Sequence, residues 1–225
     1  MLPSCRAPKT TRAAPGGFTL TEVLVSLAVI AVLASILIVA LRGARERAQD
    51  MESLSDMRQV SIAVLDYAAD NRGHLPPLFE KDNWQPRFWT SFVNPYIYGN
   101  ASPGPSRYAG PIFYCSLVER HHPIGDWGMN SNIAPFSQPN YSIPMARIEA
   151  SAATAMLFET ASGGGTIYDA SWYLNVPLAK ANPTEWLANR HQGLAFVTFC
   201  DGSARQFHHQ ELSGQWEKMA GPDLR

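Results

Sequence analysis

The chain has 225 residues, enough for one modest domain with an attached segment but too few for two large domains. Its 18 basic and 19 acidic residues give a formal net charge of −1. Arg6, Lys9 and Arg12 lie in the first 17 residues, where no acid occurs, so the rest of the chain is mildly acidic. Nonspecific nucleic-acid binding requires a basic surface, and we therefore expect no nucleic-acid partner.

An apolar run follows this basic leader, from Phe18 to Leu41. Its roughly 24 residues would span about 36 Å as a helix, enough for the hydrocarbon core of a bilayer. After Glu22, its only polar side chains are Ser26 and Ser35. A secretory signal has a shorter apolar core of about 7–15 residues, so cleavage in front of Ser35 is the weaker alternative. The run predicts a membrane helix.

Glu22 is the one carboxylate at the head of this apolar run. An ionised carboxylate near hydrocarbon is costly, which makes Glu22 a candidate functional residue. The alternative is an interfacial carboxylate that faces water among the lipid headgroups.

The chain stays helical in pattern after Leu41 but becomes amphipathic, with apolar residues every three or four positions up to Ala68. Gly73 and the prolines behind it are a stop signal. The pattern predicts one helix from about Thr19 to Asp70, roughly 75–80 Å long. Two helices broken near Gly43 are the alternative.

The remaining residues predict an outer domain. The segment 74–110 is rich in Pro and aromatic residues and reads as a long loop region with a short helix near 89–93. Turn formers occupy 128–132 and 162–165. The predicted strands are 112–118, 141–148, 155–159, 166–174 and 194–200. The fold class is therefore α+β, with a long N-terminal helix packed on a C-terminal antiparallel sheet.

Asp201-Gly202 between two extended runs predicts a type I′ hairpin, because Gly adopts positive φ readily. His191 precedes Asp201 with His-X9-Asp-Gly spacing. About ten residues of strand would separate the two side chains by roughly 30 Å, which argues against a catalytic pair. We expect His191 to pin the loop that enters the strand and Asp201 to close the turn.

Cys115 and Cys200 would be the cysteines left after loss of the leader, which contains Cys5. They either form a disulfide in an oxidising compartment or lie apart as buried thiols, and the second is favoured. The adjacent pairs His121-His122 and His208-His209 do not suit a shared metal ion, because neighbours in a strand face opposite ways. No catalytic motif is recognisable, so we expect neither an enzyme nor a bound metal or cofactor.

The segment Gly17-Phe18-Thr19-Leu20-Thr21-Glu22, with its apolar helix, resembles the N-terminus of type IV prepilins and type II secretion pseudopilins. The likeness covers about the first 70 residues, and Thr21 departs from it where many members carry an apolar residue. The resemblance implies that a prepilin peptidase cuts after Gly17 and methylates Phe18. It also implies a single pass through the inner membrane, with the N-terminus cytoplasmic and the outer domain periplasmic.

A second likeness lies at the other end. The segment from His191 to Gly202 is similar to the His-X9-Asp-Gly domain found behind prepilin-type leaders in large bacterial gene families. The segments 113–115 and 127–130 also resemble the middle of that group. Major pseudopilins bind calcium near their C-terminal loops, but the sequence assigns no calcium ligands here.

Together these features predict four regions: a leader at 1–17, a membrane half-helix at 18–41, an amphipathic extension at 42–73 and an outer domain at 74–225. The expected function is a pilin-like subunit that assembles through its helix, with other such subunits and an inner-membrane platform as partners. Cutting after Gly17 would create an amine at Phe18 that can neutralise Glu22 of a neighbouring subunit. The alternatives are a surface binding protein that never polymerises and a membrane-tethered hydrolase.

Overall fold

The computed structural model describes residues 19–81, 87–99, 110–117, 125–135, 140–160, 173–174 and 187–221. The chain divides into two compact units, Met1–Arg45 and Glu46–Arg225. The processing residues Gly17 and Phe18 and the predicted turn at 162–165 lie outside the described residues.

Three helices and seven strands make up the regular structure of the described residues. The helices are α1 (Leu20–Asp70), α2 (Trp89–Tyr98) and α3 (His209–Ala220). The strands are β1 (Phe79–Glu80), β2 (Arg87–Phe88), β3 (Trp127–Asn130), β4 (Ala155–Glu159), β5 (Tyr173–Leu174), β6 (Leu194–Phe199) and β7 (Ala204–His208). The predicted long helix is confirmed within one residue of its start, and it has no break at Gly43.

A five-stranded sheet forms the centre of the second unit, with strand order β5-β3-β4-β6-β7. The pairs β3–β4, β4–β6 and β6–β7 are antiparallel, while the two-residue β5 joins β3 in parallel. The predicted α+β, pilin-like fold is confirmed, and the parallel edge pairing is its one departure from a purely antiparallel sheet. β1 and β2 form a separate two-stranded ribbon.

One face of the sheet packs against the second half of α1. Met57, Val60 and Val64 of the helix are fully buried in one cluster with Leu157 and Phe196 of the sheet. The predicted apolar stripe is therefore the core-facing side of the helix from residue 53 onward. Met51, an apolar residue of the same three-to-four pattern, is instead 61% exposed.

The other face of the sheet is covered by α3, a helix that the sequence did not predict. Leu212 and Met219 of α3 pack with Phe158, Val197 and Phe199 in a second buried cluster. The residues of β6 alternate between the two clusters, as the period of two in a strand requires, whereas in β4 a register shift between Ala155 and Leu157 interrupts the alternation. The second unit is thus a sheet between two helical layers.

Several predicted strands are wrong. Residues 111–113 form a 3-10 turn instead of a strand, and a second 3-10 turn occupies Met145–Arg147. Residues 128–130, predicted as a turn, belong to the fully buried strand β3. The strands predicted at 155–159 and 194–200 are confirmed, the second with its end at Phe199.

The β6–β7 hairpin is present, but its turn is not type I′. That type needs positive φ at both central residues, and in the loop of Cys200, Asp201 and Gly202 only Gly202 has it, at 81°. The Gly202 N–H donates to the Phe199 carbonyl over 2.9 Å, and the Phe199 N–H donates to the Ser203 carbonyl. These bonds define a three-residue loop, a type I turn followed by a left-handed glycine.

Candidate functional site

The first candidate site is the start of α1. The Glu22 N–H donates to Thr19 Oγ1 over 3.3 Å, and the Glu22 carboxylate accepts the Thr19 N–H over 2.8 Å. This reciprocal pair is a capping box, which satisfies backbone donors that a helix start leaves unpaired. The Thr19 hydroxyl also donates to Glu22 Oε2 over 2.8 Å. Glu22 therefore has a local structural role besides the predicted role in assembly.

Behind the capping box, α1 presents apolar side chains on all sides. Every large apolar residue from Leu20 to Leu41 is exposed, with relative exposures from 47% for Val23 to 76% for Leu20. This stretch is long and apolar enough to cross a membrane, and none of its most apolar window is buried by the residues that the structure describes. Such a segment requires a lipid or protein environment that covers it.

The second candidate site surrounds His191, directly in front of β6. The His191 side chain is buried, and its ring lies 4.1 Å from the Phe196 ring, centroid to centroid. Its Nδ1 is 2.6 Å from Asp50 Oδ1 on α1, and its Nε2 is 3.0 Å from Glu159 Oε1 at the end of β4. Cys115 Sγ lies 3.8 Å from Nε2. We call Asp50, Cys115, Glu159 and His191 the His191 cluster.

An unusual backbone positions the imidazole. His191, Gln192 and Gly193 all have positive φ, at 47°, 58° and 91°. Two consecutive residues with Cβ atoms in this region are strained, and such strain persists only where surrounding contacts fix it. The contacts of His191 with α1 and β4 supply that constraint. Gln192 adds a contact of 3.0 Å to Glu46 Oε2, which ties the same turn to α1.

Hydrogen bonds around Asp126 hold Cys115 in the cluster. The Asp126 carboxylate accepts the Cys115 N–H over 2.9 Å, and the Asp126 N–H donates to the Phe113 carbonyl. The Asp126 carbonyl in turn accepts the N–H and the hydroxyl of Thr160, next to Glu159. The segment in front of β3 therefore holds the thiol beside the end of β4.

The charges of the cluster balance one another. Burial lowers the pKa of His191, but hydrogen bonds with Cys115, Glu159 and Asp50 outweigh it and raise that pKa to about 10. Burial raises the pKa of Glu159, yet His191 and the Arg190 guanidinium, 2.9 Å from Oε1, hold it below its usual value. His191 is therefore an imidazolium that donates to the carboxylates of Asp50 and Glu159.

One family comparison bears on the first site. A model described as a prokaryotic N-terminal methylation motif matches residues 12–38. The chain carries a prepilin-type methylation motif. The match includes Gly17, Phe18 and Glu22 and most of the exposed apolar stretch of α1. No curated protein and no solved structure matches the chain significantly.

The methylation motif and the pilin-like architecture together point to a pilin or pseudopilin. The motif implies processing by a prepilin peptidase and assembly with other pilins. An apolar helix directly behind it points to anchoring in the inner membrane. The comparisons give no support to the His-X9-Asp-Gly resemblance, which stays a prediction.

The structure separates the residues of the predicted C-terminal motif. His191 lies before β6, whereas Asp201 and Gly202 lie in the turn after it. The Asp201 carboxylate accepts the Ser203 N–H over 2.9 Å, and Ser203, first through its side chain and then through its backbone, is the main influence that lowers the pKa of Asp201. Asp201 thus serves the turn and has no contact with the His191 cluster.

Cys115 and Cys200 are both free and buried, so the disulfide between them is not formed. Cys115 belongs to the His191 cluster, while burial raises the pKa of the Cys200 thiol to about 12. The sequence singled out Cys115 and His191 but missed Asp50 and Glu159. In the sequence, Glu159 is recognisable only as a carboxylate that ends an otherwise apolar strand. Asp50 cannot be distinguished from the other charged residues on the polar side of α1.

Proposed function

We propose that the chain is a pilin-like subunit of a type II secretion or type IV pilus-like fibre. A prepilin peptidase cuts after Gly17 and methylates Phe18, and the processed chain assembles with other pilin-like subunits on an inner-membrane platform. The observation that carries the proposal is the methylation motif over 12–38, which overlaps an apolar stretch that is exposed among the described residues.

The orientation follows from the same proposal. The N-terminus lies in the cytoplasm, where the peptidase cuts, and the unit that contains the sheet is periplasmic. In the fibre, the apolar stretches of neighbouring subunits exchange lipid contacts for contacts with one another.

Glu22 sets the register between subunits in this proposal. Cleavage leaves a positive amine at Phe18, and this amine pairs with Glu22 of the next subunit away from water. An unpaired charge in such surroundings is costly, so only the register that pairs the charges is favourable.

The capping box supports a second candidate function. Thr19 already satisfies the Glu22 carboxylate within one chain, so Glu22 need not pair with a neighbour. In that case the chain is a single-pass surface binding protein that does not polymerise.

Two substitutions at one position separate these functions. Gln keeps the capping box but lacks the charge, whereas Ala removes both. If the charge sets the register, Glu22→Gln and Glu22→Ala both lose the sheared fibre fraction while Phe18 is still exposed and methylated. Glu52→Gln makes the same chemical change at an exposed position of α1 and should assemble normally. Assembly of the Gln variant but not the Ala variant would make Glu22 a cap and contradict the register role.

We also propose that the role is not enzymatic. His191 and Asp201, the pair that the sequence singled out, lie at opposite ends of β6, and the contacts of His191 join α1 to the sheet. Turnover of an ester, peptide or glycoside probe by the full chain, lost in His191→Ala, would contradict this and favour the hydrolase alternative.

A further inference from the structure

The His191 cluster brings three metal-ligating side chains of different chemistry together in the interior. The ligand atoms of Cys115, Glu159 and His191 all lie within 4.8 Å of one another, and all three residues are buried. They come from the segment before β3, the end of β4 and the turn before β6. Such residue types rarely occupy a buried site together unless they are paired or bind a cation.

The distances fit the edges of a zinc coordination shell. With Zn–S near 2.3 Å and Zn–N near 2.0 Å, tetrahedral geometry places the two donors about 3.5 Å apart, and two N/O donors about 3.3 Å apart. The observed separations are 3.8 Å from Cys115 Sγ to His191 Nε2 and 3.0 Å from Nε2 to Glu159 Oε1. The Cys115–His191 separation is thus within a few tenths of an ångström of a zinc edge, and the Glu159 carboxylate, whose Oε1 already lies beside Nε2, would turn its Oε2 toward the same ion.

The surroundings of the donors also fit a metal site. Asp50 Oδ1 contacts His191 Nδ1 at 2.6 Å, which is the carboxylate contact that orients a metal-binding histidine and leaves Nε2 for the ion. Ser53 Oγ lies 3.6 Å from Cys115 Sγ, where its hydroxyl can donate to a thiolate. Glu159 Oε2 is buried and has no hydrogen-bond partner among the residues that the structure describes. This orphaned oxygen is an independent sign that the carboxylate has a further partner.

Replacement of two protons by a zinc ion would leave the net charge of the site unchanged. Without metal, the two cations His191 and Arg190 balance the carboxylates of Asp50 and Glu159. Zinc binding would replace the proton on Nε2 and the thiol proton of Cys115, two protons for one divalent ion. Arg190 would stay on Glu159 Oε1 and on the Thr160 carbonyl, so Oε2 is the oxygen that turns to the metal.

We propose that Cys115, Glu159 and His191 bind a zinc ion, with Asp50 as the residue that orients His191. The bound ion would join the segment before β3, the end of β4 and the turn before β6. Through Asp50 it would also fix α1 to the sheet. The proposal does not depend on assembly of the chain into a fibre.

The test uses the full chain in detergent, stripped with a chelator and titrated with Co²⁺ and then with Zn²⁺. We expect one Co²⁺ per chain with a thiolate-to-cobalt charge-transfer band, which Zn²⁺ abolishes in a 1:1 titration. Cys115→Ser should lose the band, whereas Cys200→Ser, which removes the other buried thiol, should keep it. Tryptophan fluorescence checks that both variants are folded.

A second variant keeps all three ligands in place. Asp50→Asn should bind zinc about 10- to 100-fold more weakly, because the histidine loses its orienting carboxylate. The proposal is overturned if the wild-type chain shows no thiolate band. It is also overturned if the band survives Cys115→Ser, or if Asp50→Asn binds as tightly as the wild type. These outcomes leave the fibre proposal untouched, since they do not involve the N-terminal segment.

Discussion

Removal of the Asn130 side chain should destabilise the second unit, Glu46–Arg225, through the loss of polar contacts. Its Nδ2 donates to the Ala155 carbonyl over 2.8 Å and to the Ala220 carbonyl over 3.0 Å, and its Oδ1 accepts the Asn132 N–H over 2.9 Å. The side chain is fully buried. It therefore joins β3 to the start of β4 and to the last turn of α3.

The magnitude of Asn130→Ala follows from these bonds. Each typical hydrogen bond contributes about 1 kcal/mol net, and a buried acceptor left alone costs about 1–3 kcal/mol. Asn132 contacts the Ala220 carbonyl at 3.4 Å and the Gly221 carbonyl at 3.1 Å, so the end of α3 keeps part of its support. We expect the free energy of unfolding to fall by about 2–4 kcal/mol.

Urea unfolding of the full chain in detergent measures this loss. Fluorescence reports on the outer unit, because Trp89 and Trp127 are buried there. The matched control is Gln59→Ala, which removes an exposed amide on α1 and should cost less than about 0.5 kcal/mol. A loss below about 1 kcal/mol for Asn130→Ala, with an unchanged dependence on urea, would refute the reasoning.

Four further predictions concern glycines and cysteines. Gly202→Ala should destabilise by about 1–2 kcal/mol, because φ is 81° and the new methyl would lie 3.3 Å from a leucine of α1. Gly214→Ala should stabilise by up to about 1 kcal/mol in the same unfolding assay, since nothing lies within 4 Å of its added methyl in α3. Cys115 and Cys200 should resist iodoacetamide in the native processed chain and both react after unfolding with chelator; labelling of native Cys200 would contradict its burial. Gly17→Trp should leave an uncut precursor in membranes, detected by intact mass, because the peptidase must approach that backbone closely.

The parts of the fold that the sequence predicted are those with one clear period. The second half of α1 keeps a three-to-four spacing up to Ala68, and β4 and β6 are apolar apart from Glu159 and Thr198. The sequence does not predict β3, because its glycine and asparagine resemble a turn. Asn130 instead binds the end of α3. The stretch around Pro144 was predicted as a strand, although proline removes a donor that a ladder needs.

The members of the His191 cluster could not be brought together from the sequence. His191 lies 141 residues from Asp50, 76 from Cys115 and 32 from Glu159 along the chain. No local spacing rule links such positions, because the sheet order and the helix packing bring them together. The capping box of Thr19 and Glu22, in contrast, has a local spacing that could have been recognised from the sequence.

The most direct test of the central claim is the intact mass and N-terminal sequence of the chain isolated from native membranes. The proposed function requires a chain that begins at N-methylated Phe18. A chain that begins at Ser35 would be a secreted domain without an anchor, and an uncut chain that begins at Met1 would be a plain anchored protein. Either of these results would contradict prepilin processing and, with it, the assembly of this chain into a fibre.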